Sequence, residues 1–334
     1  VDIDCKVSSN NMRISHSGIL MILGSYYPEI SGGVTQSRSL IKMLKEKFKF
    51  MVLVTMRNTA LPRRERVEGA DVFRIPLRNG SRIDYFNAIF RFISFSLQYR
   101  NNIRIVHMHG FTIKSILFIL IFKILHKKII LTMSSVGYDD PVTIRKRSFL
   151  LYQFYSSVDV YVGISPQFEK LYQKAALPIE RFIHIPNGID VERFCDVDGQ
   201  RKKILKEQFG FPLGLKIILF VGHFSKEKCP DILIKTWKKY VADVYSDSGV
   251  VFIGVTDPGH PEVDSDVVDE VKKMAAPYLN ERVFFIDSNH SFRHQIEKFY
   301  QVADIFVMPT LREGLPYVML EAMSCELPVI VSKL

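Results

Sequence analysis

Two glutamates, Glu313 and Glu321, stand eight positions apart around what reads as the start of a helix. Upstream, Ile305-Phe306-Val307-Met308 has the short apolar run of a buried strand, and Pro316 suits a first helical position, where its missing N–H costs nothing. The segment is expected to run strand, glycine-containing loop, helix. The amides of Gly314, Leu315 and Tyr317, with the positive end of the helix dipole, then form a site for an anion such as a diphosphate. Carboxylates facing a phosphate would be repelled, so both glutamates are better read as acceptors for neutral hydroxyls close to it. A nucleotide sugar carries that combination of groups.

Those residues also carry a resemblance. Glu313-Gly314-Leu315-Pro316, then Glu321-Ala322-Met323-Ser324 and Leu327-Pro328-Val329-Ile330-Val331, resembles the signature of glycosyltransferase family 4, retaining enzymes of the GT-B fold that take sugar from a nucleotide donor. Further matches follow in the family's order: Gly32-Gly33, Gly163-Ile164-Ser165-Pro166, Ile185-Pro186-Asn187-Gly188-Ile189-Asp190, Val221-Gly222-His223-Phe224-Ser225-Lys226-Glu227-Lys228 and Tyr300-Gln301-Val302-Ala303-Asp304. The ordered set extends from about Ile19 to the last residue. Val329-Ile330-Val331 reads as a strand after which family members continue, so the resemblance implies that the chain is truncated at Leu334.

The resemblance implies roles. An Arg and a Lys spaced like His223 and Lys228 stabilise the departing diphosphate; Lys228 matches, whereas His223 lacks the permanently charged fork of arginine, which implies a weaker or pH-dependent clamp. Gly32 and Gly33 line the donor diphosphate from the first domain, Glu313 holds hydroxyls of the transferred sugar, and Glu321 those of the ribose. The family's histidine near the anomeric centre is absent, its place reading Ser134-Ser135-Val136-Gly137-Tyr138-Asp139-Asp140. His109, at a strand end, and Asp140 are candidates for contacting donor or acceptor; Asn187 is a further cleft candidate. Retention implies front-face attack, with the leaving phosphate helping to remove the acceptor's proton. No cofactor or metal is implied beyond the UDP- or GDP-linked sugar.

Other constellations fail on spacing. Asp196 and Asp198 have the Asp-x-Asp pattern of metal-dependent transferases but fall in a polar stretch that reads as linker. His290 and His294 lack the Glu that a zinc hydrolase needs beside its first histidine. Gly163 to Gln167 lacks the second glycine of a nucleophile elbow, and Ser165 is expected to cap a helix opened by Pro166.

The elements that must position these groups alternate. Strand-like runs at 19–24, 50–55, 72–75, 103–108, 128–133 and 158–164, with helical stretches between most of them, predict a mainly parallel sheet, and the pattern restarts at 216–221, 250–253, 282–286, 305–308 and 328–331. The fold class is therefore α/β, two Rossmann-like doubly wound domains, with the site expected in the cleft beyond the strands' carboxyl ends. The boundaries are a loose leader at 1–18, an acceptor-side domain at 19–186 and a nucleotide-sugar-binding domain at 187–334. The 334 residues, 47% of them hydrophobic, suffice for two cores.

Charge divides unevenly. Residues 1–186 hold 27 Lys+Arg against 13 Asp+Glu, or +14, and the remainder 18 against 22, or −4, which sum to the formal +10. The basic residues of the first half, among them Arg74, Arg82, Arg91, Arg100, Arg145, Lys146 and Arg147, interleave with Tyr85, Phe86, Phe90, Phe92 and Phe95. Such a surface suits nucleic acid or anionic lipid, or is simply solvated. No zinc-finger, RNA-recognition or helix-turn-helix pattern accompanies it, which favours an anionic membrane surface over nucleic acid. Four unpaired-looking cysteines suit a reducing compartment, and no apolar run reaches the ~18 residues a membrane span needs. The expected setting is cytoplasmic, peripheral on the inner face of the cell membrane. The function expected is transfer to a glycan or lipid-linked acceptor in surface polysaccharide or glycolipid assembly. An epimerase or phosphorylase on the same fold, or a non-catalytic nucleotide-sugar-binding module, are the alternatives.

Overall fold

The computed structural model describes residues 18–29, 31–56, 61–76, 82–257, 262–287 and 295–333. The chain divides into two compact units, the first ending at Ile185 and the second carrying Pro186 onward.

In the first unit the order is β1 (Gly18–Leu23), α1 (Gly32–Leu44), β2 (Lys49–Met56), β3 (Arg64–Val67), β4 (Ala70–Pro76), α2 (Arg82–Gln98), β5 (Ile103–His109), α3 (Ser115–Ile124), β6 (Lys128–Met133), α4 (Pro141–Arg147), α5 (Phe149–Ser156), β7 (Val160–Gly163), α6 (Pro166–Lys174) and β8 (Phe182–His184). Its sheet runs β3-β4-β2-β1-β5-β6-β7-β8, parallel except where β3 pairs with β4. Gly18 is the first residue of β1, so it belongs to the sheet rather than to a leader; residues 1–17, including Cys5, lie outside the described residues.

The second unit runs α7 (Gly199–Gln208), β9 (Lys216–Val221), α8 (Pro230–Tyr240), β10 (Ser248–Gly254), α9 (Ser265–Ala275), β11 (Val283–Asp287), α10 (Ile296–Val302), β12 (Ile305–Met308), α11 (Tyr317–Ser324) and β13 (Val329–Val331). Its strands order as β11-β10-β9-β12-β13, each pair parallel. A strand buried on both faces needs apolar residues at every position, and here successive residues feed different cores. Ile217, Leu219 and Val221 of β9 join one cluster with Val251 and Ile253 of β10, while Phe220, Val250 and Phe252 join the other with Trp237. Continuous apolar runs at 217–221 and 305–308 follow from that two-sided burial.

Each sheet reverses its strand order once. In the first unit β1 has β2 on one side and β5 on the other, and in the second β9 has β10 and β12. Helices leaving such neighbours go to opposite faces, which opens a crevice beyond the strands' carboxyl ends. The loops after β1, β5, β9 and β12 border these two crevices, and His223, Lys228, Glu313, Gly314, Leu315 and Pro316 lie in the last two of them, with Gly32 and Gly33 opening α1, His109 ending β5, and Tyr317 and Glu321 in α11.

Candidate active site

In the second unit the loops after β9 and β12 are stitched together. The amide of Leu311 donates to the Glu227 carbonyl at 2.8 Å, and the hydroxyl of the fully buried Thr310 donates to the same oxygen at 3.1 Å. Asp264 braces the loop from a third side, accepting from the Lys226 amide at 2.8 Å. A side chain on Gly254 would run into the Gly222 carbonyl, so glycine there lets the end of β10 lie against the start of this loop. Cys229, the residue before α8, sits in the left-handed region at φ 52°, a conformation that costs about 1–2 kcal/mol. The net result is that the Lys228 ammonium donates to the Glu313 carboxylate, 85 positions away in sequence. Beside them the Arg312 guanidinium pairs with the Glu227 carboxylate.

Lys228 and Glu313, two of the sequence candidates, are thus brought together. Pro316 does not open the helix: at φ −71° and ψ 130° it is the extended cap residue, and α11 starts at Tyr317. Proline fixes φ but leaves ψ free, so an extended cap satisfies the same residue. The first amides of α11 still lack intrahelical acceptors and carry the positive end of its dipole. Gly314 and Leu315 form the approach to that end, and Asn187 anchors it, its side-chain amide donating to the Leu315 carbonyl at 2.8 Å.

Glu321 is 9% exposed and lies in α11, where its carboxylate accepts a hydrogen bond from the Tyr300 hydroxyl at 2.7 Å. Burial raises the Glu321 carboxyl above its ordinary value, opposed by the Tyr300 bond and by Arg193. Burial, with the neighbouring carboxylate, holds the Tyr300 phenol well above its usual range, so it stays a donor. Two carboxylate oxygens offer more acceptor sites than one phenol fills, so Glu321 retains capacity for further hydroxyls. His223 ends the crevice on the β9 side, its Nε2 3.1 Å from a Glu262 carboxylate oxygen.

The first unit's crevice has different chemistry. Ser31 caps α1, accepting from the Val34 amide at 3.4 Å, so Gly32 and Gly33 form its first turn. A methyl on Gly33 would come within 3.6 Å of the His109 side chain, which places His109 against the start of α1. His107 and His109 lie two apart on one face of β5 with ring centroids 4.3 Å apart. His107 shares a 2.8 Å hydrogen bond with the Thr132 hydroxyl; His109 Nδ1 lies 2.9 Å from the Gln36 amide oxygen. An amide oxygen only accepts, so Nδ1 of His109 carries the proton and Nε2 is an acceptor, buried without a hydrogen-bond partner among the described residues. Burial pushes His107 down to about 4 and His109 well below its usual value, His107 adding to the latter effect. Both imidazoles are neutral near pH 7.

Several expectations need correction. The Asp140 carboxylate caps α4, accepting from the Thr143 amide at 2.9 Å, and the residue is buried. That gives it a local structural task. Asp198 caps α7 through the Arg201 amide at 2.7 Å rather than lying in featureless linker. Ser165 precedes α6 as expected but its hydroxyl makes no cap bond. Arg74 is no part of a basic surface: it is 4% exposed, pairs with Glu65 and donates to the Tyr27 and Pro62 carbonyls. Phe92 and Phe95 are likewise core residues. His290 and His294 lie outside the described residues. Among the described residues, no three His, Cys, Asp or Glu side chains cluster as metal ligands. Gln36, Thr310, Tyr300 and Glu227 were not anticipated; Tyr300 and Glu227 lie inside matched motifs, which was their one sequence signal.

Two parallel-sheet α/β units, each with its crevice at a strand-order reversal, define the GT-B class, and the comparisons agree. The chain superimposes on sucrose-phosphate synthase from Thermosynechococcus elongatus with a TM-score of 0.72 at 17% identity, over 95% of this chain and 82% of that one. The model described as Glycosyltransferase Family 4 matches residues 30–193, and the model described as Glycosyl transferases group 1 matches residues 201–334. The chain belongs to this glycosyltransferase family. It is similar to alpha-galactosylglucosyldiacylglycerol synthase of Streptococcus pneumoniae, at 23% identity over 55% of this chain and 46% of that protein. It is also similar to UDP-Gal:alpha-D-GlcNAc-diphosphoundecaprenol alpha-1,3-galactosyltransferase of Escherichia coli, at 30% identity over 45% of this chain and 36% of that protein. The chain matches less than half the length of either relative.

Proposed function

We propose that this protein is a retaining, metal-independent glycosyltransferase that moves a sugar from a UDP- or GDP-sugar to a lipid-linked or glycan acceptor in cell-surface polysaccharide or glycolipid assembly. The observation that carries the reading is the meeting of Lys228 and Glu313 beside the amino end of α11. A diphosphate arriving there competes with Glu313 for the ammonium, and Glu313, released, accepts from hydroxyls of the transferred sugar. Lys228, with His223 as a further donor, then stabilises charge on the departing diphosphate, where aimed donors act most strongly. The buried Glu321 accepts from the ribose while Tyr300 holds its carboxylate in place. The first turn of α1, with Gly32 and Gly33, carries amide dipoles of the kind that receive a phosphate. The unpartnered Nε2 of His109 accepts from a hydroxyl of donor or acceptor. The acceptor's proton passes to an oxygen of the leaving phosphate as the new glycosidic bond forms.

A lipid-linked acceptor is supported by the two relatives, whose names carry a diacylglycerol and a diphosphoundecaprenol. The basic first unit suits approach to an anionic membrane from the cytoplasmic side, and no helix among the described residues is long and apolar enough to cross one. The test is incubation with UDP- and GDP-sugars, with and without a lipid diphosphate-sugar acceptor, followed by NMR of the product's anomeric centre. Acceptor-dependent release of nucleoside diphosphate with the donor's anomeric configuration is expected. Conversion of the donor alone would instead point to an epimerase.

A further inference from the structure

Helix α2 is apolar on two opposite sides. Ala88, Phe92, Phe95 and Ser96 face the core, where Phe92 packs on Phe118 and Phe122 of α3. Turned the other way, Ile83, Phe86, Phe90, Ile93 and Leu97 repeat at intervals of three and four and form a narrow stripe along the helix. The first three are largely uncovered, Ile83 at 71% exposed and Phe86 and Phe90 at 72% each, and Ile93 and Leu97 remain exposed at 37% and 47%. Isolated exposed apolar groups are ordinary, but an aligned set on one helix calls for a partner.

The surface continues beyond α2. Helix α3 packs on α2 and exposes Leu120 and Ile124, and α5 packs on α3 and exposes Phe149 and Leu150. Immediately before that last pair, the final turn of α4 presents Arg145, Lys146 and Arg147, all exposed. Arg145 and Lys146, with Lys174, also line a depression of about 220 Å³. From Arg82 to Ser157 the chain carries eleven Lys and Arg against three acids, Asp84, Asp139 and Asp140, and the last two are buried.

We infer that the α2–α3–α5 face is a bilayer-docking surface, in which the α2 stripe enters the interface of an anionic membrane while the α4 cations contact lipid phosphates. Apolar side chains on a helix lying in the interface gain burial among acyl chains, and nearby cations gain attraction to the charged headgroups. Charge selects this occupant over a second copy of the chain. Two such faces brought together would oppose like charges, whereas an anionic bilayer complements both features. The inference rests on the membrane-held acceptor proposed above and names the surface that would bring the first unit to it.

The experiment is vesicle flotation of the whole chain with phosphatidylcholine alone or mixed equally with phosphatidylglycerol, comparing wild type with Phe86→Asp/Phe90→Asp and with Arg145→Glu/Lys146→Glu. Wild type is expected to float with the anionic vesicles. The aspartate pair should lower partitioning at least tenfold, and the glutamate pair should lower it mainly at low salt, where charge is least screened. In a separate variant, Phe90→Trp, indole emission should shift to the blue with anionic vesicles and be quenched by brominated acyl chains; the native Trp237 is buried in the second unit and reports no such contact. Unchanged flotation of the aspartate pair, or an unshifted indole, overturns the proposal. So does dimerisation in sedimentation velocity that the aspartate pair abolishes while vesicles are ignored, which would assign the stripe to a second copy. A thermal shift with UDP or GDP, measured in parallel, separates the two readings: nucleotide binding without docking refutes only the surface, and docking without nucleotide binding refutes only the transferase.

Discussion

The two crevices share an architecture and differ in charge. At the β9/β12 reversal an ammonium, a guanidinium and three carboxylates lie within two loops and one helix, among them a buried glutamate hydrogen-bonded to a tyrosine. At the β1/β5 reversal the hydrogen-bonded side chains around β5 are neutral: two stacked imidazoles, a threonine hydroxyl and a glutamine amide, with Glu29 and Lys114 in the loops after β1 and β5. A crevice that must hold a diphosphate needs fixed positive charge and aimed amides, and one that must orient hydroxyls needs acceptors without a field. The difference teaches that one fold, used twice, has been given two electrostatic characters by the residues at and just beyond its strand ends.

The sharpest way to break that comparison is to remove the charge from the second crevice. Lys228→Ala should lower turnover about 10²- to 10³-fold, as loss of an aimed donor does elsewhere. It also leaves Glu313 without its partner, so nucleotide affinity should fall with it. Steady-state rates with a nucleotide sugar and acceptor measure the first, and rates equal to wild type would take the lysine out of the leaving-group role. The same change should leave the first unit's stability unaltered.

Acidification should separate the units by sign. The folded-state pKa of His107 is about 4, below the ordinary 6.5, so its contribution to stability is fully present above 6.5 and is lost as pH falls toward 4. At pH 5 that loss is about 2 kcal/mol from His107 alone, and His109 shifts in the same direction. Glu321 runs the other way. Its folded pKa lies above the ordinary 4.5, so its burial cost is full above the folded value and is relieved as pH drops toward 4.5. Hydrogen exchange between pH 7 and 5 should therefore show β5 and β6 losing protection while α11 does not follow. Equal loss in both units would erase the contrast, and His107→Gln should flatten the first unit's response.

How much of this was legible depends on where burial leaves its mark. The limits of β6, β9 and β12 coincide with those expected, because strands buried on both faces write themselves as nearly continuous apolar runs. Strand β3 escaped notice: Arg64-Glu65-Arg66-Val67 is an edge strand whose charges protect it from further pairing, so its composition hides its conformation. β8 is three residues long and equally silent. Motif order located Lys228 and Glu313 singly, but their pairing depends on the adjacency of β9 and β12, which local periodicity does not encode. The basic segment was visible as composition; that Arg74, Phe92 and Phe95 are interior while Phe86 and Phe90 are outside required the fold.

Replacing Glu321 tests whether its burial serves the ligand or only the core. Glu321→Ala should weaken nucleoside diphosphate binding by about 1.5–3 kcal/mol, the range for hydrogen bonds to a charged group, and strand the Tyr300 hydroxyl. Glu321→Gln separates the roles, since its amide oxygen can still accept from Tyr300 without the cost of burying charge. It should melt no lower than wild type at pH 7 yet bind nucleotide more weakly, a trade of stability for function seen where sites hold costly groups. Unchanged affinity in calorimetry for both variants would remove the ribose role.

The smallest effect should come from the amide tethers. Each crevice is steadied by one: Gln36 accepts from His109 in the first unit, and Asn187 donates to the Leu315 carbonyl in the second. Asn187→Ala removes a single neutral hydrogen bond, with a net value of about 1 kcal/mol. If that bond holds the approach to α11 in its binding shape, the loss should appear as a few-fold weaker affinity for UDP or GDP and faster amide exchange at 311–317, with the rest of the second sheet unchanged. Gln36→Ala offers the matching measurement, since it frees the His109 ring to rotate while leaving its charge state governed by burial. Should Asn187→Ala lower overall stability without touching nucleotide affinity, the tether belongs to the fold rather than the site, and the charged crevice is shaped by its ion pairs and α11 alone.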